Sequence, residues 1–306
     1  MVNDANSTPF FSVILPTFNR RDRVGNAVRS VLNQTFTDWE LLIVDDGSTD
    51  GTGDAIRAFT DTRLIYQYQD NLWPAAARNR GIRRSQGRYI CFLDSDDEYL
   101  ETHLSVLHDE LVKRGFPKAF LHTLAYQKEN GEVTEKRHVP HDFDKIVIGK
   151  IPEINSICIA RDILVEMTFD ESLPIYEDAE LWGRIALKYP VITVPKRTTV
   201  TTFHESNITG GSLAFLLGLE KAYLQIFSSR EHLHYYLPRQ EKRILMKRIK
   251  LRIFRYYLAE NRDLDAGLCF LRNPLLWIDA LRYMLFFPLR VVRSVGRRTV
   301  RRFRER

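Results

Sequence analysis

The stretch RYICFLDSDDEY, residues 88–99, decides how this chain folds. It opens with five consecutive apolar or aromatic residues, Tyr89 to Leu93, and such a short run is typical of a strand buried on both faces of a sheet. The polar residues that end it are Asp94, Ser95, Asp96, Asp97 and Glu98. Ligands of open α/β sheets bind beyond the carboxyl ends of the strands, and clustered carboxylates suit a hard divalent cation. The stretch therefore predicts a cation site at a strand end, with an anion such as a diphosphate bound to the cation.

Two other interpretations of the acidic run apply at this stage. An acidic strand end is also typical of a solvated surface loop. A calcium loop of the EF-hand type would start at Asp94 and would need glycine at its sixth place and glutamate at its twelfth. Those places hold Tyr99 and Ser105, so the sequence excludes this kind of calcium loop.

The chain before the acidic run alternates between apolar strands and amphipathic helices. The predicted elements are strand 11–15, helix 23–34, strand 39–44, helix 55–59, strand 64–68, helix 75–85 and strand 89–93. This alternation predicts a parallel, right-handed, doubly wound sheet. The second strand also ends in two aspartates, Asp45 and Asp46, so paired carboxylates follow two strands of one sheet. No Walker A or dinucleotide glycine pattern accompanies them, which favours a phosphate held by a metal over one cradled by glycines.

The pattern changes after a helix predicted at 101–113. Residues 119–126 and 132–137 are predicted to be antiparallel strands about a turn at Asn130–Gly131. Further strands are predicted at 154–159, 191–194 and 198–203, and further helices from Glu177 onward, at 213–227 and at 239–258. The second half is therefore predicted to be a mixed lobe built onto a nucleotide-binding half.

The composition is that of an ordinary globular protein. A chain of 306 residues with 44% hydrophobic residues predicts a full core. Cys91, Cys158 and Cys269 lack metal-ligand spacing and are interpreted as small buried hydrophobes in a reducing compartment. The first residues, MVNDANSTPF, lack the regions of a signal peptide, and no uncharged apolar run reaches the roughly 18 residues of a membrane span. These features predict a cytoplasmic location.

The net charge of +6 is concentrated at the C-terminal end. Residues 282–306 contain nine arginines and one glutamate, a net charge of +8, so the preceding residues sum to −2. The apolar, aromatic stretch at 275–287 beside these arginines is typical of an in-plane anchor on an anionic membrane. Alternatively, the aromatic part packs on the domain that precedes it and the arginines form a solvated tail. No nucleic-acid-binding motif accompanies the charge, so no nucleic acid partner is predicted.

Six segments of the chain resemble, in the same order, those of the inverting glycosyltransferases of family 2. The segments are FSVILPTFNR (11–20), WELLIVDDGSTDGT (39–52), ARNRGI (77–82), GRYICFLDSDDEY (87–99), YEDAELWGRI (176–185) and FHESNIT (203–209). They extend over about residues 11–210, or two-thirds of the chain. One departure lies at Asn71–Pro74, where the family usually places a glycine before the ARN segment.

The resemblance implies a fold and a division of the chain. The fold is α/β, a doubly wound mixed sheet of the GT-A type with a Rossmann-like nucleotide-binding half and an acceptor lobe. Residues 1–10 would be a polar N-terminal lead, and 11–211 the catalytic domain, with a nucleotide-sugar half (11–100) and an acceptor half (101–211). Residues 212–306 would be a helical C-terminal extension with a basic amphipathic tail.

The resemblance also implies donor-site roles. The residues it assigns to the nucleotide-sugar are Pro16, Thr17, Phe18, Asn19, Asp46, Arg78, Asn79, Asp94 and Ser95. Phe18 would flank the base, and Asp46 would accept the uracil N–H unless it caps the following helix instead. Arg78 and Asn79 would contact the nucleotide or diphosphate, unless Arg78 lies on a solvated helix face.

Metal binding follows from the same resemblance. Asp96 would bind a divalent ion, Mn²⁺ or Mg²⁺, directly, while Asp94 would face the ribose or an ion-bound water. Asp97 would support the loop or the acceptor. His204 would complete the ion's shell or touch the diphosphate, and is otherwise a surface residue at a strand end.

Asp178 is the predicted general base. It would remove the proton of the acceptor hydroxyl while that oxygen attacks the anomeric carbon from the far side, which inverts the configuration. Glu177, its neighbour, is the rival for this role. Alternatively, both carboxylates only favour the start of a helix through its dipole.

The predicted function is metal-assisted, inverting transfer of a sugar from a nucleotide-sugar, with UDP preferred, to a glycan or lipid-linked acceptor. Cell-surface polysaccharide biosynthesis at the cytoplasmic face of the membrane would be the setting. One alternative is a nucleotidylyltransferase of similar fold, which normally carries a glycine-rich loop after the first strand; here no glycine occurs before Gly25. The other is a non-catalytic, membrane-associated scaffold that retains the fold.

Overall fold

The structure is a computed structural model that describes residues 8–135, 152–173, 175–203, 213–228, 239–260 and 262–272. The chain divides into two compact units, residues 1–207 and 208–306. A mixed sheet flanked by helices makes up the first unit, and the described part of the second is helical.

Four parallel strands form the N-terminal half of the first unit. They are β1 (Phe11–Thr17), β2 (Trp39–Asp45), β3 (Leu64–Tyr68) and β4 (Tyr89–Phe92). The helices between them are α1 (Val24–Leu32), α2 (Thr52–Arg57) and α3 (Trp73–Arg84). The strands lie in the order β3-β2-β1-β4, and every neighbouring pair is parallel, which confirms the predicted doubly wound sheet. The strand order changes direction between β1 and β4, and the binding crevice of open α/β sheets lies beyond the carboxyl ends of the strands at such a place.

Helix α3 packs closely on β1. Strands β1, β2 and β4 are buried along their whole length, as a sheet covered by helices on both faces requires. Gly81 of α3 lies directly over Ile14 of β1, and a Cβ at Gly81 would stand 2.5 Å from the Ile14 Cγ2 atom. Only glycine allows α3 to approach β1 this closely.

The second half of the sheet is mixed, as predicted. Its strands are β5 (Glu98–Tyr99), β6 (Phe120–Glu129), β7 (Glu132–Glu135), β8 (Ile157–Ala160) and β9 (Val191–Phe203). Strand β8 pairs antiparallel with both β4 and β6, and β9 runs parallel to β6 and antiparallel to β5. The hairpin of β6 and β7 turns at Asn130–Gly131, both with positive φ, which confirms the predicted turn. Helices α4 (His103–Lys113), α5 (Arg161–Glu166) and α6 (Glu177–Lys188) complete the unit.

Two predicted elements differ in the structure. The strands expected at 191–194 and 198–203 are one strand, β9, because β6 pairs with it on both sides of Pro195, with a shift of register between Thr193 and Arg197. Residues 154–156, expected to begin a strand, form a 3₁₀ turn instead. Cys91 and Cys158, far apart in sequence, lie opposite each other on β4 and β8 as buried free thiols.

The described part of the second unit is helical, as predicted. Helices α7 (Leu213–Ser228), α8 (Arg239–Ala259) and α9 (Asp263–Leu271) form it, and Phe254 of α8 packs with Ala266 of α9. Among the residues that the structure describes, no helix is both long and apolar enough to cross a bilayer. The aromatic stretch at 275–287 and the arginines from 282 to 306 lie outside the described residues.

Candidate active site

The acidic run forms a tight, partly buried turn at the end of β4. The Asp97 N–H donates to the Asp94 carbonyl oxygen at 3.1 Å, and the side chains of Ser95 and Asp97 are buried. Burial, with the nearby charges of Asp94 and Asp96, raises the pKa of Asp97 to about 8. The turn is therefore not a solvated loop, and its acids differ in burial: Asp97 is buried, while Asp94 and Asp96 are half-buried.

Arg78 joins the acidic turn to the start of α6. Its Nη2 donates to Asp94 Oδ1 at 2.9 Å, and its Nη1 donates to Glu177 Oε1 at 2.6 Å. The side chain is only 8% exposed, so Arg78 does not lie on a solvated helix face. Burial by itself would lower the pKa of Arg78, but Asp94, Glu177 and Asp178 together raise it above its ordinary value. A permanent positive charge thus sits between two carboxylate groups that are remote in sequence.

Glu177 and Asp178 occupy the first turn of α6 in different surroundings. Glu177 is held by Arg78, whereas the Asp178 Oδ1 atom accepts the N–H of Ala179 at 2.6 Å. Burial, followed by the charge of Glu177, raises the pKa of Asp178 to about 7, and Arg78 opposes the rise. Asp178 is therefore poised to gain or lose a proton near neutral pH, as a general base requires.

Asp94 and Asp96 lie next to cationic side chains. Asp94 contacts Arg78, and Asp96 Oδ2 lies 3.7 Å from the Nη2 of Arg20, a residue that sequence analysis did not select. Burial raises the pKa of Asp94; Arg78 opposes this effect, and the charge of Asp96 adds to it. A divalent cation would relieve the repulsion between the two carboxylates.

The donor set fits Mn²⁺ or Mg²⁺ only as a partial site. Within the part of the chain that the structure describes, no three His, Cys, Asp or Glu side chains converge into a complete metal site. Mg²⁺, however, is usually held by one or two carboxylates together with water and substrate phosphates. Asp94 and Asp96 match that pattern, while His204, the other predicted ligand, lies outside the described residues.

The loops after β1 and β2 clasp each other at the same edge of the sheet. The Asn19 N–H donates to Ser48 Oγ at 2.9 Å, and the Thr49 N–H donates to Asn19 Oδ1 at 2.9 Å. Phe18 is 44% exposed beside this clasp, whereas Pro16 and Thr17 are buried within β1. The buried Thr17 Oγ1 atom has no hydrogen-bond partner among the described residues.

Asp46 holds the loop that leads into α3. Its Oδ1 accepts both the Gln69 Nε2 amide, at 2.7 Å, and the Leu72 N–H, at 2.9 Å. It does not cap α2, so that alternative is wrong. Residues 71–74, which differ from the family's usual pattern, therefore follow a defined path. Leu72 is hydrogen-bonded to Asp46, and Trp73, which is 63% exposed, begins α3 with a φ of 74°.

Asn79 bonds Phe169 and Glu171 and not the carboxylates of the acidic turn or of Glu177 and Asp178. Its Nδ2 donates to the Phe169 carbonyl at 2.9 Å and to Glu171 Oε1 at 2.8 Å, and its Oδ1 accepts the Phe169 N–H at 3.0 Å. These bonds use its amide to hold the segment that leads to α6. Its predicted contact with the nucleotide stays a prediction.

Asn155 is a second site residue, after Arg20, that sequence analysis missed. From the 3₁₀ turn at 154–156 it bonds both the backbone of Asp94 and the carboxylate of Asp97. Its segment carries no motif, so no signal in the sequence points to it. The amide reaches the acidic turn because β8 pairs with β4.

Solved structures of low sequence identity share the fold. S. aureus TarS 1–349, in complex with UDP-GlcNAc, is 20% identical; the match covers 83% of this chain and 75% of that one, with a TM-score of 0.57. The mannosyltransferase PcManGT from Pyrobaculum calidifontis, in complex with GDP-Man and Mn²⁺, is 16% identical, with 95% and 87% coverage and a TM-score of 0.58. The predicted glycosyltransferase fold of the GT-A type is confirmed.

The chain belongs to glycosyl transferase family 2, whose model matches residues 12–171, just over half of its length. The putative teichuronic acid biosynthesis glycosyltransferase TuaG of Bacillus subtilis is 41% identical over 118 residues, 38% of this chain and 47% of that protein. WfgD of Escherichia coli, a UDP-Glc:alpha-D-GlcNAc-diphosphoundecaprenol beta-1,3-glucosyltransferase, is 28% identical over 178 residues, 56% of this chain and 67% of that protein. The chain spans about a third to a half of the length of several curated relatives that it matches.

Proposed function

We propose that this protein transfers a sugar from a nucleotide-sugar to a hydroxyl acceptor with inversion of configuration at the anomeric carbon. The observation that carries this proposal is the buried Arg78, which contacts Asp94 in the acidic turn and Glu177 beside Asp178. It brings the donor-side carboxylates and the base-side carboxylates, which are far apart in sequence, into one site. A direct displacement needs both groups at the same sugar.

Asp178 acts as the general base in this proposal. Its raised pKa, about 7, lets it accept the proton of the acceptor hydroxyl as that oxygen bonds to the anomeric carbon. The bond from that carbon to the diphosphate breaks with its electron pair on the departing nucleotide. Glu177 is less suited to the role because its carboxylate already binds Arg78 at 2.6 Å.

UDP is the proposed nucleotide. Phe18 presents an exposed ring beside the crevice for a base to stack on, and Asp46 stands at the end of β2 nearby. Thr17 adds an unpartnered buried hydroxyl at the end of β1. The UDP-sugars in the name of WfgD and in the TarS complex support the choice, although the GDP-Man complex of PcManGT shows that the fold also accepts GDP.

Asp94 and Asp96 would hold a Mn²⁺ or Mg²⁺ ion together with the diphosphate. Such an ion, when bound, offsets the negative charge that develops on the departing diphosphate. The chain's own part is to keep two carboxylates at the mouth of the crevice, with Arg78 and Arg20 as their cationic neighbours. The complex of PcManGT with Mn²⁺ supports the use of a divalent ion.

A glycan or lipid-linked glycan of the cell surface is the proposed acceptor. The names of TuaG and WfgD support polysaccharide biosynthesis, and that of WfgD supports a diphosphoundecaprenol-linked acceptor. A lipid-linked acceptor would be met at a membrane, so we propose peripheral association with the cytoplasmic face. Helix α8 supports this with Arg248, Arg252 and Arg255, which are exposed and spaced to share one face.

The proposal is tested with a panel of UDP-sugars and GDP-sugars in Mn²⁺, with and without short glycan acceptors. Release of nucleoside diphosphate, together with an inverted anomeric configuration in the product by NMR, is the expected result. Pyrophosphate released from a nucleoside triphosphate and a sugar phosphate would instead indicate a nucleotidylyltransferase. Nucleotide binding without turnover of any donor would indicate the scaffold.

A further inference from the structure

We propose that Asn155 is a positioning residue that holds the acidic turn in its binding geometry, and that Asp97 is its structural partner. The proposal rests on the proposed function in that the turn carries Asp94 and Asp96, the carboxylates assigned to the donor. Asn155 itself touches neither of their carboxylate groups. It acts through the backbone of the turn.

Two hydrogen bonds fix how Asn155 is oriented. The Asp94 N–H can only donate, so the Asn155 oxygen faces it, at 2.8 Å. The Asn155 Nδ2 group then points to Asp97 Oδ2, to which it donates. Asn155 is 2% exposed, so its amide is buried beside the turn. A single amide thus holds the first and last residues of the turn.

Asp97 also links the acidic turn to β9 by a hydrogen bond. Its Oδ1 accepts the Thr202 N–H at 2.7 Å while its Oδ2 accepts the Asn155 amide. Both oxygens are therefore used by donors within the protein, one from the 3₁₀ turn and one from the end of β9. Glu153, at the other side of the 3₁₀ turn, binds Thr201 through Oε2 at 2.6 Å. Three segments remote in sequence meet at this junction.

The hydrogen bonds at position 155 distinguish asparagine from other amino acids of similar size. Leucine at 155 has a similar volume but can neither accept from Asp94 nor donate to Asp97. Aspartate at 155 can still accept from the Asp94 N–H, but its second oxygen carries no N–H to donate to Asp97 Oδ2, so the hydrogen bond to Asp97 is lost. Exchanging the two residues restores the pattern, because asparagine at 97 can accept from Thr202 and donate to an aspartate at 155.

The test compares Asn155→Leu, Asn155→Asp, Asp97→Asn/Asn155→Asp and the control Ser156→Ala. Ser156 lies in the same 3₁₀ turn but donates only to the Glu153 carbonyl, at 2.7 Å. Hydrogen–deuterium exchange of residues 92–99 is one measurement, and calorimetric binding of UDP with MnCl₂ is the other. Partners that orient metal ligands typically contribute about 10–100-fold to affinity.

We expect both single Asn155 variants to speed exchange at the turn and to weaken UDP binding in Mn²⁺ at least 10-fold, with the control unchanged. The double variant Asp97→Asn/Asn155→Asp should recover most of the slow hydrogen–deuterium exchange and most of the affinity for UDP. Unchanged exchange in Asn155→Leu would overturn the proposal. So would a folded double variant that regains slow exchange yet not UDP binding, since the Asp97 carboxylate would then be a ligand itself. If the wild type does not bind UDP, the proposed nucleotide is wrong, and hydrogen–deuterium exchange alone decides the role of Asn155.

Discussion

Acidic residues that are neighbours in this sequence differ in what surrounds them. In the turn after β4, Asp97 is buried and bonded to Asn155 and Thr202, while Asp96 faces Arg20. At the start of α6, Glu177 is paired with Arg78, and the adjacent Asp178 carries the raised pKa. The proposed roles thus depend on surroundings and not on residue type.

The first prediction concerns the proposed base. Asp178→Asn should lower turnover at least about 100-fold and leave the affinity for the nucleotide unchanged, because a base acts on the acceptor proton. The wild type should gain turnover as the pH rises through about 7 and level off above it, since the ionised carboxylate is the active form. Steady-state kinetics between pH 5.5 and 8.5 check both statements.

Stability offers an independent check on the same residue. The raised pKa of folded Asp178 means that the wild type loses stability as the pH rises from about 4 to about 7, where the folded carboxyl ionises. Asp178→Asn should therefore melt no lower than the wild type at pH 8. If Glu177→Gln loses turnover in this way and Asp178→Asn does not, the base is Glu177.

The second prediction concerns the ion. Asp96→Ala should abolish transfer and weaken nucleotide binding in Mn²⁺, while the melting temperature stays nearly unchanged, because the carboxylate is a proposed ligand and not a part of the core. Calorimetry with and without EDTA measures the ion-dependent part of the affinity. Equal affinity of the wild type in the two conditions would contradict a metal-held diphosphate.

At the scale of elements, α3 connects the two sides of the site. Its buried face rests on β1 through Gly81, and from the same helix Arg78 reaches the acidic turn and α6. Asn79, next along, binds residues 169 and 171 ahead of α6. The position of α3 on β1 therefore sets how the donor-side and base-side carboxylates meet.

The third prediction uses two glycines in helices. Gly81→Ala should lower the free energy of unfolding by about 1–3 kcal/mol, because its Cβ would lie 2.5 Å from the buried Ile14 Cγ2. Gly25→Ala, in α1, meets only the flexible end of Arg29, at 3.3 Å, and should raise stability by up to about 1 kcal/mol through helix propensity. Urea unfolding measures the free energy of unfolding of both variants. A loss of equal size in the two would refute the close packing of α3.

At the scale of the whole molecule, charge is divided unevenly along the chain. The acids of the candidate site belong to residues that sum to −2, and the last 25 residues carry +8. Within the described part of the second unit, α8 presents further exposed arginines. An anionic surface would attract the C-terminal part much more strongly than the part that carries the site.

The fourth prediction concerns this asymmetry. The full chain should bind vesicles that contain anionic lipid, and salt should release it through screening, without detergent. Deleting residues 290–306 should reduce vesicle binding and leave hydrolysis of the sugar nucleotide unaffected. Co-sedimentation measures the binding. Equal partitioning of the two forms, or unfolding of the truncated form, would show that the tail is structural.

The class of fold, the order of its elements and the places where carboxylates gather could all be predicted from the amino-acid sequence. Strand and helix periods are local properties, and the carboxyl ends of parallel strands must share one edge of a sheet. Which side chains meet at that edge became known only from the folded chain. Arg78 finds partners 16 and 99 residues away, and Asn155 reaches the acidic turn from 61 residues away. Such contacts depend on how β8 pairs with β4 and on how α3 packs on β1. No local sequence pattern encodes these long-range arrangements.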